Sequence, residues 1–271
     1  MTVPGWVKGL GVLFAILGVG FAIPLAVAGV ALADGVTTDR TYTQTAELGS
    51  GGTVIVQSAS SDLKVLTGPA GQVRVDEHDI VRALTRRLAA VELNAARTTL
   101  TSTGSAAQVT TGDEPIVVMG GFVRRELTVY VPADANLKVT SAAGDLNLSG
   151  VRGNLSIDSA SGSVTLDNMD VAGAANVHVV SGDIVYSGSI SGGHVDLSTV
   201  SGSVRAYIPK DTNVHFAAST VSGAIIVDRR FPIPVIGGRG PASQSSGDIG
   251  SGGPGTLTMS TISGAVYLRI R

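Results

Sequence analysis

The chain has 271 residues, 19 of them basic and 21 acidic, a net charge of −2, and no cysteine. Near-neutral charge without a basic run argues against nucleic acid as a partner. The lack of cysteine removes disulfides, thiolate metal sites, a cysteine nucleophile and a lipidated N-terminal cysteine, and the 44% apolar fraction excludes a disordered chain.

The first element is "GLGVLFAILGVGFAIPLAVAGVALA", Gly9 to Ala33, which carries no charge. At ~1.5 Å per residue, a helix of this length crosses a ~30 Å hydrocarbon core. Lys8 precedes it and Asp34 and Asp39 follow. The short basic N-terminus should stay inside, and everything after Ala33 should lie outside the cytoplasm. The rival reading is a signal peptide cleaved after Ala31-Leu32-Ala33, although the span exceeds the usual ~7–15 apolar residues. Either way the chain is exported. Pro24 would kink the helix, which a membrane span tolerates. Residues 1–35 are thus read as a transmembrane anchor or signal peptide, and 36–49 as a linker.

From residue 50 onward one motif recurs: "VIVQSASSDLKV", "SIDSASGSVTL", "VHVVSGDIVY", "VDLSTVSGSV", "AASTVSGAIIV" and "LTMSTISGAVYL". The turn glycines are Gly144, Gly162, Gly182, Gly202, Gly223 and Gly264, with Ser61 in that place in the earliest copy. Intervals of 18 to 21 residues, the last about double, indicate a stacked-repeat architecture. Apolar side chains alternate on both sides of each glycine, as in Val195/Leu197 before Gly202 and Val164/Leu166 after Gly162. Period two on both sides of a turn predicts two short strands per copy, each with one buried face. The constant phase favours a β-solenoid of about 20 residues per coil over a sandwich of unequal hairpins. Asn136, Asn154, Asn176, His194 and Asn213 each precede the first apolar residue of a copy and are expected to stack in one column. The residue two before each glycine, Ala, Val or Ile, is expected to tuck into the corner.

Two stretches are irregular. Residues 69–131 read as atypical first coils and an N-terminal cap. Ala83 to Val91 fits a short helix, a strand or a loop, and Leu127, Val129 and Val131 alternate into Pro132. "FPIPVIGGRGPASQSSGDIGSGGPG", 231–255, reads as a mobile loop protruding between two coils.

"LTVYVPADANLKVTSAAGDLNLSGVRGNLSIDSASGSVTL" and "VDLSTVSGSVRAYIPKDTNVHFAASTVSGAIIV" resemble the bacterial putative-adhesin β-strand-repeat family over roughly residues 50–271. The resemblance implies a right-handed, parallel β-helix-like solenoid and a cell-surface role. It implies no activity and transfers no catalytic residue.

Motifs for chemistry are sparse. The sequence has no nucleotide-binding glycine fingerprint, Walker loop or G-x-S-x-G elbow. The position after the turn glycine runs Asp145, Ser163, Asp183, Ser203, Ala224, Ala265, which places no two acids on consecutive coils, and Asp62 is read as outside that stack. One outward column reads Lys138, Ser156, His178, Asp196, His215. Two imidazoles flanking a carboxylate on three neighbouring coils suit Zn²⁺, against the plainer reading of a solvated polar column. No catalytic residue, cofactor or required metal is assigned. The expected function is a non-enzymatic, membrane-anchored extracytoplasmic β-solenoid with a binding, adhesion or scaffolding role towards an envelope polymer or protein. The alternative is a polysaccharide-active β-helix enzyme, which would show a cleft of converging charged side chains.

Overall fold

Alternating β-branched and aliphatic residues bury one face of nearly every strand. The structure, a computed structural model, describes residues 36–83, 85–87, 98–111, 122–231, 235–236 and 240–271. The Gly9–Ala33 span and most of Ala83–Val91 lie outside the described residues. Among the described residues no helix is long and apolar enough to cross a membrane.

In chain order the strands are β1 (Val36–Ser60), β2 (Asp62–Thr67), β3 (Gln72–Ala83), β4 (Thr99–Ser102), β5 (Gly104–Thr110), β6 (Phe122–Val131), β7 (Asn136–Ala143), β8 (Leu146–Ser149), β9 (Leu155–Ser161) and β10 (Val164–Val171). There follow β11 (Ala174–Ser181), β12 (Ile184–Ile190), β13 (His194–Ser201), β14 (Val204–Ile208), β15 (Val214–Gly223), β16 (Ile225–Val227), β17 (Val235–Ile236), β18 (Gly240–Ile249), β19 (Gly255–Ser263) and β20 (Val266–Ile270).

The chain is an all-β solenoid. Each coil contributes one strand before its turn glycine and one after it, and equivalent strands of successive coils pair in parallel. The first ladder runs β5, β1, β7, β9, β11, β13, β19, β15. The second runs β6, β2, β8, β10, β12, β14, β20, β16. The two inner faces supply the core: Leu155, Ile157, Val195, Leu197 and Phe216 from the first, Leu166, Ile184, Tyr186, Val204 and Leu268 from the second, all buried. A single coil has nothing to cover these side chains, so stacking supplies the burial that holds the fold together.

Stacking order departs from chain order at both ends. The coil of β5 and β6 lies outside the coil of β1 and β2, although it follows it in sequence. Likewise β19 and β20, last in the chain, are inserted between the coil of β13 and β14 and the coil of β15 and β16. Antiparallel strands cover much of the ends: β4 lies on β5, β3 on β6 and on the first half of β1, and β18 on β15. Such cover leaves fewer open strand edges to pair with other chains.

Two sequence expectations are corrected here. Residues 36–47 are not a linker, because they pair with β3 in an unbroken antiparallel register from Val36↔Ala83 to Glu47↔Gln72. The 231–255 segment is not a protruding loop throughout: 240–249 form β18, aligned with β15 from Gly223↔Gly240 to Val214↔Ile249. Its glycines serve a close crossing. Between β18 and β19 the chain steps over the start of β15, where Asn213 Oδ1 accepts hydrogen bonds from the Ser251 backbone N–H (2.8 Å) and hydroxyl (3.0 Å). A Cβ on Gly250 would lie 2.2 Å from that oxygen, and one on Gly253 2.3 Å from the Asn213 carbonyl oxygen. At positions 250 and 253 a side chain would collide with Asn213.

Candidate functional site

The corner between the two ladders explains the repeated Ser-Gly pair. Gly162, Gly182 and Gly202 sit at φ of 111°, 152° and 147°, outside the range L side chains favour. A Cβ on Gly182 would lie 2.1 Å from the Gly162 carbonyl oxygen, and one on Gly202 2.1 Å from that of Gly182. The glycines thus form a seam along which coils approach at backbone distance. Three residues before the glycine stands a buried hydroxyl in five coils, Ser141, Ser159, Thr199, Thr261 and Thr220, and a buried Val179 in the Gly182 coil. Thr199 Oγ1 donates to Gly182 O (3.0 Å), Thr261 Oγ1 to Gly202 O (2.9 Å) and Thr220 Oγ1 to Gly264 O (3.1 Å). These threonines, not the apolar residues next to them, fill the corner. Val221 and Ile262, expected to tuck in, are 54% and 42% exposed.

The acid column also differs from expectation. Asp62 lies directly beside Asp145, whose backbone N–H it accepts at 3.3 Å, so two acids do occupy consecutive coils. The pattern continues coil by coil: Asp145 Oδ1 accepts from Ser163 N–H and Asp183 Oδ1 from Ser203 N–H, each at 2.8 Å. The Arg205 guanidinium, 2.7 Å from Asp183, together with the Ser203 N–H, holds that carboxyl below the usual range. These carboxylates hold adjacent coils together.

The structure does not bring His178, Asp196 and His215 together. His178 lies opposite Asp158 and Ser198, and Asp196 lies opposite Asn176 and Thr258. His215 stands beside Thr256 on one side and Asp248 on the other, with Nδ1 2.9 Å from Asp248 Oδ1. The physical reason is twofold. Asn176 and Asn213 stand six and ten residues before their glycines, whereas Asn136, Asn154 and His194 stand eight before theirs. The inserted β19 then separates β13 from β15. The true column is Asn136, Asn154, Ala174, His194, Thr256, His215. Its asparagines do stack: Asn154 Nδ2 donates to Asn136 Oδ1 (2.9 Å), and Ala174 N–H donates to Asn154 Oδ1 (2.9 Å). Among the described residues no group of three or more His, Asp or Glu side chains converges as metal ligands would.

Two further polar features were not singled out from sequence. On β3, Glu77 and Asp79 point inward, and Arg125 of β6 reaches both, with Nε 2.8 Å from Glu77 Oε1 and from Asp79 Oδ1. All three side chains are less than a tenth exposed. Burial, then the neighbouring Asp79, pushes the Glu77 carboxyl up, while Arg125 pulls the other way. The signal was present in "VRVDEHDIV": strict alternation places Glu77 and Asp79 on the face of Val73, Val75 and Val81. The second feature is a shallow recess of about 220 Å³ where β10 bends away from its ladder at Asn168, φ 52°. Arg152, Asp170, Ser189 and Arg271 are among its lining residues. The hydroxyls of Ser191 and Ser189 hold the Asp170 carboxyl below its usual range. Asp170 is already satisfied by these donors, so the recess holds no evident nucleophile or poised acid–base pair.

The sequence profile of the Toastrack DUF4097 family matches residues 40–232, and the chain belongs to that family. No functionally curated protein matches the sequence. Among solved structures, a putative cell adhesion protein from Clostridium sporogenes is similar at 13% identity and a TM-score of 0.50, covering 86% of this chain and 100% of that one. A putative adhesin from Bacteroides fragilis is 9% identical with a TM-score of 0.41, over 84% of this chain and 97% of that one. At these identities the first likeness concerns the fold alone, and the second adds nothing to it.

Proposed function

We propose that this chain is a non-enzymatic binding or scaffolding protein of the cell envelope, anchored by Gly9–Ala33 with its solenoid outside the cytoplasm. Its coils wind right-handed, the sense that nearly all parallel crossover connections take. The observation that carries this reading is the in-register stack of eight coils. Its outward columns of Ser, Thr and Asn form extended, stiff faces suited to broad contact with a polymer or protein surface. The polar side chains of the seam and of the acid column serve to join coils, a structural use in place of a catalytic one. The similar fold of the putative cell adhesion protein from Clostridium sporogenes supports a surface role by analogy.

Protease shaving of intact cells tests it. The expected result is loss of the solenoid with a membrane-bound N-terminal stub left behind. Release of a soluble chain beginning at Asp34 would replace the anchor with a signal peptide. Full protection from protease in cells, with digestion after lysis, would overturn the envelope assignment. Co-sedimentation of the detergent-solubilised chain with isolated cell-wall material tests the binding role, and a chain left wholly in the supernatant would count against it.

A further inference from the structure

We infer that the slot holding β19 and β20 is a strand-accepting site whose ligand is the chain's own C-terminal coil, and that a second copy can supply that coil in exchange. Along the middle of the stack each coil pairs with the coil before it in sequence, as β9, β11 and β13 do in the first ladder. The coil of β15 and β16 breaks the rule, because β19 and β20 stand between it and its sequence neighbour. Ser201, Ser263 and Ser222 lie in one column, and the glycines that follow them, Gly202, Gly264 and Gly223, share one seam. Without the inserted coil, β13 and β15 therefore already have matching registers. Val195 and Leu197 would face the same core as Phe216 and Ala218, all buried.

Two arrangements of one sequence follow. In the first, residues 255–270 fill the slot, and in the second the flanking coils close on each other and the last coil is free. Closure recovers one of the two interfaces lost when the coil leaves, which lowers the cost of opening. The short run 250–254, which packs against Asn213, links β18 to the inserted coil. A freed coil carries the pattern the slot was built for, so the complementary partner is the slot of another copy, as in domain exchange.

The lack of native cysteine gives a clean test on the full chain in detergent. Asp196 and Thr258 are direct partners across β13 and β19. One preparation carries Asp196→Cys and another carries Thr258→Cys. They are mixed reduced, incubated in urea below the unfolding transition, and oxidised after dilution. Exchange predicts a mixed disulfide dimer several-fold above that from Ser156→Cys with Thr258→Cys, since Ser156 lies in the same column two coils further away. Parallel neighbours ~4.8 Å apart meet disulfide geometry, and residues two coils further do not. Equal yields from the two mixtures would overturn the inference. Native-state hydrogen exchange of the wild-type chain is the second measurement. Amides of β19 and β20 should exchange before those of β9 to β12, and exchange of all of them together would also overturn it.

Discussion

A Cβ built on Gly182 would lie 2.1 Å from the carbonyl oxygen of Gly162, one coil away. Gly182→Ala must therefore either part the two coils or abandon a φ of 152°. We expect a loss on the order of 3 kcal/mol or more by urea denaturation. Ser181→Ala, at the exposed neighbouring position, should change stability by less than about 0.5 kcal/mol. Similar small losses at both sites would show that the coils are not in backbone contact along the seam.

Leu197 is fully buried, whereas Asp196, one residue away, points outward and is part-exposed. Leu197→Asp would bury an unpaired carboxyl and should cost about 3 kcal/mol or more. Asp196→Ala should stay within about 0.5 kcal/mol. Reversed magnitudes in thermal melts would mean that β13 presents its other face to the core.

The corner hydroxyls allow a reciprocal exchange. Thr199→Val removes the hydrogen bond to Gly182 O and should cost about 1 kcal/mol. In the preceding coil the equivalent residue is Val179, so the shape is already tolerated. Val179→Thr should be neutral or stabilising by up to about 1 kcal/mol, because its hydroxyl would face the Gly162 carbonyl. A large loss at position 179 would mean that the corner excludes a hydroxyl there.

Glu77 gives a pH dependence with a defined sign. Its carboxyl is raised in the folded state, so the folded chain holds the proton more tightly than the unfolded one. This group's contribution is therefore fully present below the unfolded value of 4.5 and is lost as pH rises through the folded value. Asp170 and Asp183 act oppositely: their lowered carboxyls contribute above the unfolded value of 3.8, and that contribution is lost as pH falls through the folded values. Glu77→Gln should flatten the decline in stability just above pH 4.5 while leaving the acid limb intact. An unchanged profile above pH 4.5 would show that Arg125 fully compensates the buried pair.

Much of the coil was readable because strand periodicity is local. Leu166, Leu197 and Phe216 were placed inward from alternation alone, and all three are buried. Register is set by distance from the turn glycine and not by residue type, which is why Asn176 and Asn213 fall outside the column of Asn136 and Asn154. The insertion of β19 could not be read, since nothing in "LTMSTISGAVYL" distinguishes a last coil from a next-to-last one. Gly250 and Gly253 carry the composition of a flexible loop but serve a tight crossing, and composition reports only the missing side chain. Glu77 and Asp79 are legible by parity, against the general rule that charged residues stay outside.

The two reversals of stacking order have an evolutionary consequence. A coil is fitted to the stack by marks most coils share, a turn glycine and apolar pairs on either side of it, so its position need not follow the order in which the ribosome makes it. Duplication or deletion of one unit of 18 to 21 residues leaves these marks intact on either side of the joint. Each such event would lengthen or shorten the rod by about 4.8 Å without recutting its core. A gene of this kind can change the length of its product in equal steps.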